Sequence, residues 1–105
     1  MRIAVIDLGT NTFNLLVAKV SDGQMLVLYK DELGIKLGEG GIHRKIITEP
    51  SFRRGIQGLE RHIQSAKDWK ADRILAVATS RIRTSKNGKN VIQQIYDQFV
   101  INVKT

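Results

Sequence analysis

The stretch that most limits how this chain can fold is Asp7-Leu8-Gly9-Thr10-Asn11-Thr12. The apolar run Ile3-Ala4-Val5-Ile6 leads into it, and a second run from Phe13 to Val20 leads out. Two β-like runs joined by a short Gly/Thr/Asn segment read as a hairpin. The turn carries a carboxylate, two hydroxyls, a carboxamide and a glycine. Gly9 has access to φ > 0 and lets backbone N–H groups come close to a ligand. Successive N–H groups in such a turn, helped by hydroxyls, form a concavity suited to phosphate. The same residues also satisfy the plain needs of a hairpin turn.

The pattern continues as a meander. After Ser21-Asp22-Gly23, residues 24–36 read as a third strand, with Met25, Val27 and Tyr29 alternating with Leu26, Leu28 and Lys30. Leu37-Gly38-Glu39-Gly40-Gly41 breaks the sheet, because clustered glycines do not hold a strand interior. A helix follows, with Thr48 as N-cap and Pro50 in the first turn. Phe52, Ile56, Leu59, Ile63 and Ala66 recur at steps of four, three, four and three. This is one apolar stripe at the helical period. Arg53, Arg54, Glu60, Arg61, Lys67 and Asp68 fall mostly off it. Gly55 and Gly58 each cost about 1 kcal/mol relative to alanine, so close packing is expected there. His62, like His43, has no partner at metal-ligand spacing and is assigned to the surface or its boundary. Trp69 is expected to be the last core contact of the helix.

Arg73 to Ala78 reads as a strand buried on both faces. Thr79 to Gly88 is a polar loop, and a helix is expected from about Gly88 to Gln98, capped by Asn87 or Ser85. Phe99 to Lys104 reads as a last strand. The order β-β-β-α-β-α-β implies a mixed sheet with helices packed on it. It is the connectivity of an RNase H-like unit lacking only its last helix, in a single domain spanning residues 1–105.

At this length the chain buries roughly 65% of its extended surface on folding, so a core needs no staples. Cysteine is absent, which excludes disulfides and thiolate metal sites. The N-terminus is no signal peptide, since Asp7 interrupts the apolar run too early. No apolar run approaches the ~18 residues of a membrane span, so a cytoplasmic location is the expectation. Seventeen Lys and Arg against ten Asp and Glu give a net charge of +7. That balance suits a polyanion, whether nucleic acid, polyphosphate or nucleotide phosphate. No aromatic residue is interleaved in a basic run, which disfavours a single-strand stacking platform.

The segment Ala78 to Gly88 lies between a strand and a helix start, where ligands gather in open sheets. Arg83 offers a fork for phosphate oxygens. Thr79, Ser80, Thr84 and Ser85 supply hydroxyls, and the following helix contributes the positive end of its dipole. A solvated basic loop would use the same residues.

Three motifs in order carry a family resemblance. Ile6 to Ala18 resembles the first phosphate loop of actin-like ATPases and phosphatases, D-x-G-S/T. Its Asn11-Thr12 continuation is similar to that of the exopolyphosphatase/guanosine pentaphosphate phosphohydrolase family. Lys36-Leu37-Gly38-Glu39-Gly40 resembles a glycine segment that the family has after its third strand. Residues 78–88 match a further family motif at Ala78, Thr79, Ser80, Arg83, Ser85, Asn87 and Gly88. The departures are Thr84, where an aspartate is usual, and Arg81, where a small residue is common.

The resemblance implies that Gly9, Thr10, Asn11 and Thr12 cradle the phosphate being cleaved, with Arg83 and Asn87 holding the phosphate chain from the opposite wall. It implies that Asp7 faces a magnesium ion or its water shell. The implied reaction is hydrolysis of the terminal phosphoanhydride of polyphosphate or of guanosine pentaphosphate. The family's water-activating glutamate segment and second phosphate loop follow the strand matched by residues 99–104, so no catalytic residue is assigned here. Glu32, Glu39, Glu49 and Glu60 are poor substitutes, Glu39 being the nearest. The chain is expected to bind phosphate without cleaving it, and to pair with a second copy through uncovered apolar surface. The alternative is a small basic RNase H-like module that binds nucleic acid. A sugar-kinase fragment is a third reading, but Asn11 and the 78–88 match do not suit it.

Overall fold

A computed structural model describes residues 1–39, 46–78 and 81–104, the side chains of Arg81 and Arg83 excepted. Strand β1 (Arg2–Leu8) pairs antiparallel with β2 (Thr12–Ser21), and β2 pairs antiparallel with β3 (Gln24–Gly34). The β2–β3 hairpin closes through Asp22 and Gly23, at φ of 53° and 75°. Both central residues thus take the positive φ that a two-residue hairpin turn favours. Helix α1 (Glu49–Asp68) leads to β4 (Arg73–Ala78), which lies parallel to β1. A one-turn helix α2 (Arg81–Thr84), α3 (Gly88–Phe99) and the short β5 (Val103–Lys104) complete the chain. The sheet order is β3-β2-β1-β4-β5, with β5 parallel to β4. This is the mixed sheet that the element order implied, with one further helical turn between β4 and α3.

The core fills one face of the sheet. Ala4, Ile6 and Leu8 of β1, Phe13, Leu15 and Val17 of β2, and Ala76 and Ala78 of β4 alternate inward and are buried. Leu59, Ile63 and Ala66 of α1 and Val91 and Ile95 of α3 close over them. The α1 stripe forms with Thr48 as N-cap, its Oγ1 accepting from the Ser51 N–H at 3.4 Å. Its sheet-facing row is Gly55, Gly58 and His62, while Phe52 and Ile56 turn toward Val91 and Ile95 of α3. The close approach expected at the glycines is present at Gly58, while Gly55 has room for ordinary contact. A Cβ on Gly58 would lie 2.5 Å from Ile35 Cδ1, and one on Gly55 3.4 Å from Leu37 Cδ1.

Several expectations are corrected. β4 is buried on one face only: Ala76 and Ala78 are covered, whereas Leu75 is 41% exposed. Both described long helices pack on the opposite face, so the apolar run of β4 reads as fully buried when half of it is not. The final strand is two residues long, because Phe99 ends α3 and Val100 takes a left-handed C-cap conformation at φ 57°. Trp69 caps α1 and stacks on Tyr29 with ring centroids 5.2 Å apart, at the rim of the fold. His62 is fully buried, with no exposed surface. Its Nε2–H donates to the Phe13 carbonyl at 2.7 Å, and its Nδ1 lies 3.9 Å from Asp31 Oδ2. An imidazole inside the stripe was readable as a surface residue because its partner is a main-chain oxygen, which no sequence pattern reveals. His43, Gly40 and Gly41 lie outside the described residues.

Candidate phosphate site

β1 and β4 are parallel neighbours, and Leu8 pairs with Ala78 at their ends. The loop after β1 and the segment after β4 therefore leave the sheet side by side, at the edge formed by the carboxyl ends of both strands. In open sheets ligands gather at an edge of this kind.

The first loop is a backbone construction. The Gly9 N–H donates to Thr12 O at 3.0 Å. A Cβ on Gly9 would sit 2.7 Å from that same oxygen. Glycine is thus required by close approach and not by a positive φ, which Gly9 does not adopt. The carbonyls of the loop turn away from its mouth. Asn11 O accepts from the Ile35 and Lys36 N–H groups at 2.7 and 3.0 Å, and Thr10 O accepts from the Leu37 N–H at 2.8 Å. The Thr10 and Asn11 N–H groups donate to no acceptor among the described residues. Acceptors tied down and donors left over is the polarity an anion needs. Thr10 and Thr12 are half-buried and Asn11 is exposed, so hydroxyl and amide groups remain within reach of a ligand.

Residues 35–37 form a strap behind this loop. They hold Lys36 at φ 55° and bury Ile35 and Leu37 under α1. Arg54 grips the strap from the helix. Its Nε donates to Ile35 O at 2.8 Å, and its Nη2 to Lys36 O at 2.9 Å and Ser51 Oγ at 3.0 Å. Ser51 Oγ in turn donates to Glu39 O at 3.1 Å. The resemblance marks Lys36 and Leu37 of the strap as part of a motif, whereas Arg54 carries no role in the sequence analysis. The signal was its spacing of four from Gly58 and eight from His62, one row of α1.

The second segment is more helical than a loop. α2 carries Arg83 on its backbone, Ile82 is buried at 2% exposure, and Thr84 is exposed. Thr79 and Ser80 lie outside the described residues. Ser85 Oγ donates to Ile82 O at 3.4 Å, which closes the α2 turn. Asn87 occupies the N-cap position of α3 but makes no side-chain cap. Its Oδ1 accepts from the Ile47 N–H at 3.0 Å and its Nδ2 donates to Ile47 O at 2.9 Å. Both polar ends of the side chain are engaged, so the expected side-chain cap gives way to a staple joining α3 to the residue before Thr48.

Asp7 projects from β1 on the open face of the sheet, in register with Asn14 of β2, which is in register with Glu32 of β3. No three His, Cys, Asp or Glu side chains among the described residues are grouped to hold a metal ion. The protein groups present therefore fit magnesium only as a single carboxylate beside an ion that substrate phosphates hold.

The five-stranded mixed sheet of order β3-β2-β1-β4-β5, with its helices on one face, is that of the actin-like ATPase fold. The sequence pattern of the Ppx/GppA phosphatase family matches residues 16–105, and the chain belongs to that family. The structure superposes on an exopolyphosphatase from Cytophaga hutchinsonii with a TM-score of 0.92 and 31% identity, covering 98% of this chain and 33% of that one. An Aquifex aeolicus Ppx/GppA family member gives a TM-score of 0.90 at 26% identity, over 99% of this chain and 34% of the other. A guanosine-5'-triphosphate,3'-diphosphate pyrophosphatase of Pseudoalteromonas atlantica is 31% identical over 84 residues, 80% of this chain and 17% of its own length. The chain thus spans between 17% and 34% of the length of these relatives. No helix among the described residues is long and apolar enough to cross a membrane.

Proposed function

We propose that the chain is the phosphate-holding half of a phosphoanhydride hydrolase acting on polyphosphate or guanosine pentaphosphate. The observation that carries this reading is the loop polarity: Thr10 and Asn11 turn their carbonyls into the strap and leave their N–H groups for an anion. In this reading Gly9, Thr10, Asn11 and Thr12 hold the terminal phosphate by main-chain N–H groups and hydroxyls, and Arg83 neutralises charge from the neighbouring segment. Among the described residues Asp7 would face a magnesium ion, whose charge would offset that of the equatorial phosphate oxygens when bound. In the family the water-positioning carboxylate belongs to the part of the domain beyond the matched strands, and the described residues supply the phosphate-holding side of the site.

Titration with tripolyphosphate and with duplex DNA at matched salt tests this reading. Thr10→Ala and Arg83→Ala are each expected to weaken tripolyphosphate binding about tenfold, as loss of a charge-assisted phosphate contact does. Unchanged affinity in both variants, with tight DNA binding, would instead favour the basic nucleic-acid module suggested by the charge of +7.

The open sheet face bears on assembly. Val5, Leu16 and Leu75 form a cross-strand apolar row on it, and Met25, Leu26 and Val27 at the hairpin tip are 63%, 63% and 42% exposed. Apolar area of this kind seeks a partner. Sedimentation of the 11.8 kDa chain at high micromolar concentration is expected to show dimer or larger species, and a clean monomer would contradict this.

A further inference from the structure

We propose that Arg54 is a positioning residue for the phosphate loop, and that it acts by relaying its positive charge through two peptide groups of the strap. The proposal rests on the loop's role in binding phosphate.

The relay is traced atom by atom. The carbonyl of Ile35 and the N–H of Lys36 belong to one peptide group, and the carbonyl of Lys36 and the N–H of Leu37 to the next. Each carbonyl accepts from Arg54, at 2.8 and 2.9 Å, and each N–H donates to the loop, to Asn11 O at 3.0 Å and Thr10 O at 2.8 Å. Because the C=O and N–H of a trans peptide point in opposite directions, the guanidinium and the loop lie on opposite sides of the strap. Arg54 therefore acts on the loop through the strap. Both peptide dipoles are aligned by the cation, with their positive ends toward the loop.

The loop carbonyls pass the polarisation on. Thr10 O shares its peptide group with the Asn11 N–H, and Asn11 O with the Thr12 N–H. A carbonyl that accepts a strong hydrogen bond makes its own peptide N–H a better donor, and such chains reinforce one another at low dielectric. The planar fork of Arg54 reaches both carbonyls at once, which a lysine ammonium does only as a point charge. Ser51 Oγ takes a further guanidinium N–H at 3.0 Å and fixes the fork. Gly58, one turn further along α1, lets the helix lie close enough to the strap for this grip. The residues that donate to phosphate and the residue that strengthens those donors thus sit on different elements.

The test compares Arg54→Ala, Arg54→Lys and the neighbouring Arg53→Ala in the 105-residue chain. Arg53 is exposed and paired with Glu49, so its variant removes the same charge without touching the strap. The readouts are tripolyphosphate affinity at matched salt and the amide proton shifts of Lys36, Leu37, Asn11 and Thr12. Arg54→Ala is expected to move these amides upfield and to weaken binding about tenfold, against less than about threefold for Arg53→Ala. Arg54→Lys, which keeps the charge but not the fork, is expected to fall between. If Arg54→Ala does not fold, a folded Arg54→Lys with wild-type affinity and wild-type shifts overturns the proposal. Equal losses in Arg54→Ala and Arg53→Ala overturn it as well. Failure of the wild-type chain to bind tripolyphosphate would instead overturn the underlying reading of the loop.

Discussion

Replacing Gly9 by alanine is expected to remove most phosphate binding, with a fall in affinity of at least tenfold, which corresponds to about 1.4 kcal/mol or more. The reason is steric and local. The new Cβ would meet the Thr12 carbonyl oxygen at 2.7 Å, a main-chain atom that cannot rotate aside. The loop has to open at its Gly9–Thr12 hydrogen bond, and opening moves the Thr10 and Asn11 N–H groups that the strap holds in place. Gly34→Ala is the matched control. It sits beside Thr12 in the β2–β3 register, yet nothing lies within 4 Å of its Cβ position. It is expected to change stability by no more than about 0.5 kcal/mol and to leave affinity unchanged. Isothermal titration of both variants with tripolyphosphate separates the outcomes. Wild-type affinity in Gly9→Ala would mean that the loop does not hold the anion through its backbone.

The elements were legible in the sequence to the extent that their patterns are local. The β1–β2–β3 meander follows from alternation and from Asp22-Gly23, and α1 from Thr48, Pro50 and a 3.6-residue stripe. These signals lie within a few residues of one another. What was hidden depends on contacts far apart in the chain. His62 is stable inside the core because the Phe13 carbonyl accepts its Nε2–H, across 49 residues. Asn87 stays at the N-cap position but its side chain makes no cap, because Ile47 offers both a donor and an acceptor, 40 residues away. β4 reads as buried on both faces since Leu75 and Val77 are as apolar as Ala76 and Ala78. Which face is covered depends on where α1 and α3 cross, and that is a tertiary property.

The same division holds at the site. Asp7, Gly9, Thr10, Asn11 and Thr12 stood out because glycine, hydroxyl and amide groups in a short turn suit phosphate chemistry. Arg54 did not, since an arginine one position outside an apolar stripe looks like any solvated helix charge. Its role exists only because the strap presents two carbonyls to it. Binding residues that meet a ligand directly leave a compositional trace, while residues that act through the backbone leave little beyond spacing.

Glycine at position 88 is a second place where a single methyl group has a large expected effect. A Cβ there would run into the Ile82 carbonyl oxygen and come within 3.0 Å of Ser85 Oγ. Ile82 cannot give way cheaply, because its side chain is 2% exposed and lies in the seam with Phe13, Leu37, Phe52, Val91 and Ile95. Gly88→Ala therefore forces α2 off the start of α3, at a cost of about 3 kcal/mol, as overpacking against fixed backbone does. In a domain of this size that corresponds to a fall in Tm of more than about 10 °C. Gly55→Ala supplies the opposite sign. Its Cβ would make ordinary contacts at 3.4 to 3.6 Å with Leu37 and Phe13, and alanine gains up to about 1 kcal/mol of helix propensity over glycine. Thermal unfolding of the two variants should move in opposite directions. Because α2 also carries Arg83, Gly88→Ala is expected to weaken tripolyphosphate binding at temperatures where it remains folded. A folded Gly88→Ala with unchanged Tm would show that α2 can leave α3 without loss, and that Ile82 does not anchor the second phosphate-side segment.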